Sequence, residues 1–277
     1  MELTVNIVDA FTEKQFGGNS AAVVITDTWL PAALMQSIAT ENNLSETAFL
    51  VPKNSSSHST SEHAHYDIRW FSPLMEIDFC GHATLASAWV IFAKHPNLSE
   101  CSVAAPAVGK MLIKQNPTGE IEMDFPNRKP SPVVDVPACL LNGLSIQPKR
   151  VLKNEQAYIA VYQSEEEVNA VKQDSALIKQ LAPYDVVVTA KAANPKSGYD
   201  FISRYFWPAN GGNEDPVTGS IHTALAPFWA EQLGKTKLTA YQASKRGGLL
   251  SCKVIGERVI IAGKAVPYLE GMITVQA

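Results

Sequence analysis

The sequence predicts an α/β chain made of two similar halves, and three observations predict it. First, Arg69-Trp70-Phe71-Ser72-Pro73 returns later as Arg204-Tyr205-Phe206-Trp207-Pro208. Second, each copy runs through a glycine-containing turn into an apolar helix, Cys80 to Ala88 and then Pro216 to Ala224. Thr84 aligns with Ser220, Ser87 with Thr223 and Phe92 with Phe228. Third, the flanking elements recur in the same order on either side of a segment rich in proline. A duplicated chain builds two similar units, and two helix starts can face one cleft.

Leu3 to Asp9 alternates apolar and polar residues and reads as a strand. Ala21 to Ile25 reads as another, after a turn at Gly17-Gly18-Asn19. Pro31 opens a helix with Leu34, Met35, Ile38 and Ala39 on one side, ending near Asn42-Asn43. Thr47 to Val51 is a strand, the polar stretch Asn54 to His65 a hairpin loop, and Tyr66 to Phe71 a further strand. The apolar helix then runs from about Gly81 to Lys94 and stops before Pro96. Three prolines between Phe125 and Pro132 mark a linker. In the second half, Val151-Leu152 and Tyr158 to Val161 read as strands, with a turn at Asn142-Gly143 between short strands. Ala176 to Ala182 echoes the helix Ala33 to Ala39, Asp185 to Thr189 is a strand, and the second motif and helix follow.

At 277 residues, 46% hydrophobic and 18% charged, the chain buries a sizeable core in one large or two medium domains. A formal net charge of -4 gives no reason to expect nucleic acid or an anionic membrane as partner. Four cysteines without a CxxC read as reduced thiols. The N-terminus lacks a signal-peptide pattern, and Leu85 to Ala93 is too short to span a bilayer. A cytoplasmic protein is the expectation.

No GxGxxG, P-loop, GxSxG or HExxH occurs, so neither a nucleotide cofactor nor those hydrolytic centres are expected. His58, His63 and His65 invite a metal reading. They lie in a serine-rich polar stretch that no cysteine or paired carboxylate accompanies, and a solvated loop without metal is expected. Cys80 precedes a helix start, where backbone N–H groups lower a thiol pKa; the competing reading is a small buried apolar residue. Its repeat partner is Pro216, so no second thiol stands opposite. Glu46 precedes a strand, and its repeat counterpart falls near Thr189, leaving it without an acidic equivalent. From pattern alone it is as much a turn carboxylate as a catalytic one. Asp215 reads as an acid at a helix N-terminus, with Thr84 and Ser220 as helix-start hydroxyls.

Five segments carry a family resemblance: Val8-Asp9-Ala10-Phe11, Gly18-Asn19-Ser20-Ala21-Ala22-Val23, Asn43-Leu44-Ser45-Glu46-Thr47-Ala48-Phe49, Cys80-Gly81-His82-Ala83-Thr84 and Glu214-Asp215-Pro216-Val217-Thr218-Gly219-Ser220. In order and over nearly the whole chain they resemble the PhzF family of phenazine-biosynthesis-like isomerases, related to diaminopimelate epimerases and proline racemases. The resemblance implies an epimerase-like α/β (α+β) fold of two pseudo-symmetric domains, each a barrel-like sheet around a central helix, with the active site in the cleft between. The expected domains are 1–127 with a returning strand at 266–277, and 128–265. Residue by residue, it implies Glu46 as the catalytic acid/base, His82 and Asp215 beside it, and Ser45, Gly81, Gly219 and Ser220 as substrate contacts.

The family's activity, isomerisation of trans-2,3-dihydro-3-hydroxyanthranilate without a cofactor, implies proton relocation within a small carboxylated metabolite. It also implies a homodimer. Two alternatives stay open: an epimerase or lyase that also uses Cys80, and a non-catalytic ligand-binding protein on the same scaffold.

Overall fold

The computed structural model describes residues 1–53, 64–194 and 196–276. The chain divides into two compact units, Met1–Asp124 with Ala262–Ala277, and Phe125–Ile261. The first unit holds β1 (Glu2–Ala10), β2 (Asn19–Ile25), α1 (Ala32–Asn42), β3 (Glu46–Pro52), β4 (Ala64–Phe71), β5 (Glu76–Ile77), α2 (Gly81–Lys94), β6 (Glu100–Ala105) and β7 (Gly109–Gln115), and closes on β8 (Ile121–Pro126). β1 and β2 are antiparallel, β2 and β3 parallel, β3 and β4 antiparallel, and β4 and β6 parallel. The parallel β2–β3 step needs a crossover, which α1 supplies. α2 is apolar all round, with Leu85, Ala86, Ala88 and Ile91 fully buried, and packs on β1, β2 and β3. A helix with no polar face has to be enclosed, and this one is the unit's central helix.

The second unit holds β9 (Ser131–Pro132), α3 (Ala138–Asn142), β10 (Arg150–Lys153), β11 (Ala157–Val161), α4 (Glu165–Ala170), α5 (Ser175–Ile178), β12 (Asp185–Lys191), β13 (Phe201–Trp207), β14 (Gly212–Asp215), α6 (His222–Leu233), β15 (Lys237–Gln242), β16 (Gly248–Ile255) and β17 (Arg258–Gly263). Its pairing repeats that of the first: β10–β11 antiparallel, β11–β12 parallel, β12–β13 antiparallel, β13–β15 parallel. α6 takes the place of α2, with Ala224, Leu225 and Ala226 fully buried. The final strand, β18 (Ala265–Thr274), belongs to the first unit and pairs antiparallel with β1.

Several local expectations need correction. The single helix expected over Ala176 to Ala182 is one α turn, α5, followed by a 3-10 turn over Lys179–Leu181. Pro183 cannot continue the hydrogen-bond ladder and disfavours helical geometry at Ala182. Asn142-Gly143 does not join strands. It ends α3, where the Gly143 amide donates to the Cys139 carbonyl. α4 was not anticipated, although its signal is in the sequence: Ser164 and Glu167 form a reciprocal capping box. His65 lies in β4 rather than in a loop, with Nδ1 2.6 Å from Ser102 Oγ. His58 and His63 lie outside the described residues. No described helix is long and apolar enough to cross a membrane.

Candidate active site

The first unit gathers its polar residues where β1, β2 and β3 meet the start of α2. The turn from β1 to β2 sets this geometry. Gly18 has φ +60, and a Cβ there would meet the Ala10 carbonyl oxygen at 2.0 Å, so the tight return that delivers Asn19 requires glycine. Asp9 holds the same turn, accepting from the Ser20 hydroxyl and, at 2.8 Å, from the Phe16 amide. Glu46 opens β3 beside Ala21. Cys80 is the extended residue that caps α2, and Gly81 and His82 are its first helical residues.

Glu46 and His82 are 5% and 4% exposed, with Glu46 Oε2 3.0 Å from His82 Nε2. That oxygen makes no aligned hydrogen bond, so the contact is a close approach rather than a directed donor and acceptor. Cys80 Sγ lies 3.4 Å from His82 Nδ1. On the same nitrogen sits the Asn19 amide nitrogen at 3.1 Å, and Ser45 donates to Asn19 Oδ1 at 3.1 Å. Burial works against the His82 cation, but Cys80 and Glu46, by charge and polar contact, outweigh it and hold its pKa well above the usual value. Burial first, and the Glu46 charge second, push the Cys80 thiol up to about 11. Cys80 is therefore held as the thiol, with Glu46 opposing its ionisation and favouring the His82 cation.

Asn19 and Ser45 serve both protonation states of His82. As placed, Nδ1 accepts from the Asn19 amide, which suits the neutral ring protonated at Nε2. The cation needs an acceptor at Nδ1. Turning the amide over supplies Oδ1, while its nitrogen donates to the Ser45 hydroxyl, which can accept as well as donate.

The second unit fixes the other predicted residues. Asp215 ends β14 and is not in the first turn of α6, which begins at His222. The helix-acid reading of Asp215 is thereby corrected: Pro216 to Ile221 lie outside any helix or strand before α6 forms. Thr218 donates to the Asp215 carboxylate. Gln242 clamps this loop, donating to the Asp215 carbonyl at 2.9 Å and accepting from the Thr218 amide at 2.9 Å. Gly219 is buried and its carbonyl accepts from the His222 amide at 3.1 Å. Ser220 Oγ accepts from Gln156 Nε2 at 2.9 Å, leaving its own proton for another acceptor. Gln156 also donates to Tyr205 OH at 2.9 Å, and Tyr205 donates to Asp185 at 2.7 Å.

Strand register overturns the expected asymmetry of Glu46. Glu46 pairs with Ala21, and Thr47 with Phe71 of the first motif; Asp185 pairs with Ala157, and Val186 with Phe206 of the second. The counterpart of Glu46 is thus Asp185, not a residue near Thr189. Counting from the helix echo misplaced it because the second-half helix is shorter. Asp185 is 8% exposed, and burial raises its pKa against the opposing hydrogen bonds from Tyr205 and Asn210. What distinguishes the halves is the neighbour: Glu46 faces a histidine, Asp185 a tyrosine and an amide.

Sequence reasoning nominated neither Asn19 nor Gln156, Tyr205 and Asp185. Asn19 stands in a quoted segment, next to a glycine that the turn demands. Gln156 gave no local signal.

A model of phenazine biosynthesis-like proteins matches residues 8–271. An uncharacterized isomerase of Pseudomonas aeruginosa is 45% identical over 98% of this chain and 98% of its own length. The crystal structure of a PhzF-family protein from Enterococcus faecalis superposes with a TM-score of 0.89 at 38% identity, covering 99% of this chain and 100% of that one. A hydroxyproline epimerase from Agrobacterium vitis shares the fold, with a TM-score of 0.55 at 11% identity over 98% of this chain and 92% of that one. The fold is epimerase-like, and the chain belongs to the PhzC-PhzF family of phenazine biosynthesis-like proteins.

Proposed function

We propose that this protein is a cofactor-independent isomerase that relocates a proton within a small carboxylated metabolite, with Glu46 as the acid/base. The observation that carries this reading is the buried pair of Glu46 and His82, 3.0 Å apart. A carboxylate held dry beside a histidine can take a proton from carbon and hand it back without leaving the site. The relative named as an isomerase supports the reaction class.

In this reading Glu46 removes the proton from one carbon and returns it to another on the same face. His82 holds positive charge beside Glu46 while the carboxylate is charged. The amides at the start of α2, from Gly81 onward, offer donors to a substrate carboxylate. Asp215 pairs with an amine or hydroxyl, and Gly219 and the Ser220 hydroxyl add contacts. The motif match supports these three roles, as does the hydrogen-bonded loop around Thr218 and Gln242. Ser45 acts on His82 through Asn19 as well as by any substrate contact. A thiol raised to about 11 is a poor base at neutral pH, so chemistry through Cys80 is the weaker alternative.

The experiment incubates the purified protein in D2O with trans-2,3-dihydro-3-hydroxyanthranilate and a panel of small amino and hydroxy carboxylates, followed by NMR without added cofactor. One compound should isomerise, with solvent deuterium at the carbon that receives the proton. Turnover that appears only after adding a nucleotide or flavin cofactor contradicts the proposal.

A further inference from the structure

The acid/base pair stands in a cluster with a third group that the proposed reaction does not use. Glu46, Cys80 and His82 each place one donor atom within 4.8 Å of the others. Oε2 is 3.0 Å and Cys80 Sγ 4.0 Å from His82 Nε2. Zinc bonds of about 2.0–2.3 Å at tetrahedral angles set such donor atoms about 3.3–3.6 Å apart. Sγ stands 3.4 Å from Nδ1 and 4.0 Å from Nε2, so the Cys80 side chain has to turn toward Nε2 for the three atoms to share one ion. Two further observations point the same way. Glu46 Oε2 is buried and without a hydrogen bond although 3.0 Å from Nε2, as expected where two donors converge on a common point. His82 Nδ1, the nitrogen turned away from Glu46, faces Asn19, whose Oδ1 can accept the Nδ1–H proton as outer-sphere partners of metal-bound histidines do.

We propose that Glu46, Cys80 and His82 form a binding site for a thiophilic divalent cation of the Zn2+ type. One thiolate, one imidazole and one carboxylate suit a borderline-soft ion and discriminate against Mg2+ and Ca2+, which take oxygen ligands. Binding releases the Cys80 thiol proton and the Nε2 proton of the His82 cation, and leaves the other ring proton on Nδ1. The fourth position of a tetrahedron stays open to water or a carboxylate. The ion acts as an inhibitor, because it occupies the lone pairs with which Glu46 accepts a proton; that consequence, unlike the binding, rests on the acid/base reading of Glu46.

The test is a titration of the purified full-length protein with Co2+, read by absorption. One equivalent should produce the near-ultraviolet band of a Co2+–thiolate bond, and Zn2+ should abolish it by displacement. Cys80→Ser should lose the band and bind Co2+ at least about tenfold more weakly, the lower bound of what even an outer-sphere partner is worth. Glu46→Gln should keep the band at reduced affinity, with circular dichroism confirming that both variants fold. Zn2+ should raise the melting temperature of the wild type and not of Cys80→Ser. A titration with no thiolate band, or a band unchanged in Cys80→Ser, overturns the site whatever happens to turnover. A site that binds as described while Zn2+ leaves turnover intact supports the binding and contradicts the acid/base role of Glu46.

Discussion

Asn19 gives His82 Nδ1 a hydrogen-bond partner in either protonation state, and so orients the ring against Glu46. It is fully buried and bonded to both His82 and Ser45, so replacing it strands polar atoms that water does not readily reach. Leaving such an atom unpaired costs about 1–3 kcal/mol. Asn19→Ala should lower kcat by about tenfold or more with a smaller change in KM. The nitrogen-15 shift of His82 Nδ1 should move, because the ring loses its fixed partner. Wild-type shifts in the variant would show that Asn19 merely fills space. This residue shows where sequence reading stops. Glu46, His82, Asp215 and Ser220 were nominated because each sits in a segment that resembles a motif of the family. The partners that orient them, Asn19 for His82 and Gln156 for Ser220, act through tertiary contacts across 63 and 64 residues of chain, and no local pattern encodes those.

At the scale of elements, α2 was legible to the residue because it is uniformly apolar and punctuated by Gly81 and Pro96. The second-half counterpart of α1 was not, since Pro183 cuts short a pattern that matches the first half in composition. The register of β3 and β12 was hidden for the same reason, and only strand pairing revealed Asp185 as the counterpart of Glu46. α6 carries a titratable group with no assigned role. His222 is fully buried, Nδ1 lies 2.8 Å from the Thr218 carbonyl, and Nε2 has no hydrogen-bond partner. Burial lowers its pKa from 6.5 to about 4, against the backbone hydrogen bond that favours the cation. The unfolded chain therefore binds more protons between those values, and stability falls as pH drops from 6.5 toward 4. The loss is on the order of 3 kcal/mol at about 1.4 kcal/mol per pKa unit. His222→Gln should flatten that part of the stability–pH curve measured by urea unfolding. An unchanged slope would remove His222 as its source.

Across the whole molecule, two units of the same strand order carry different chemistry on matching positions, which is what duplication followed by divergence leaves behind. β18, added to the first unit outside this repeat, carries Tyr268, Leu269 and Met272 at 52%, 43% and 64% exposure, and Phe16 meets Tyr268 edge-on with ring centroids 5.8 Å apart. Apolar side chains clustered on one strand favour a covering partner, and we propose a second copy of the chain. Sedimentation at micromolar concentration should show a dimer, and Tyr268→Lys with Met272→Lys should shift it toward monomer. A wild-type monomer under those conditions contradicts this. The central claim, that one buried carboxylate moves the proton, is tested most directly by Glu46→Gln on the compound that isomerises in D2O. The side chain keeps its shape but cannot accept the proton, so turnover should fall by roughly 10²–10⁴-fold while the compound still binds. Turnover within a few-fold of wild type would contradict the account.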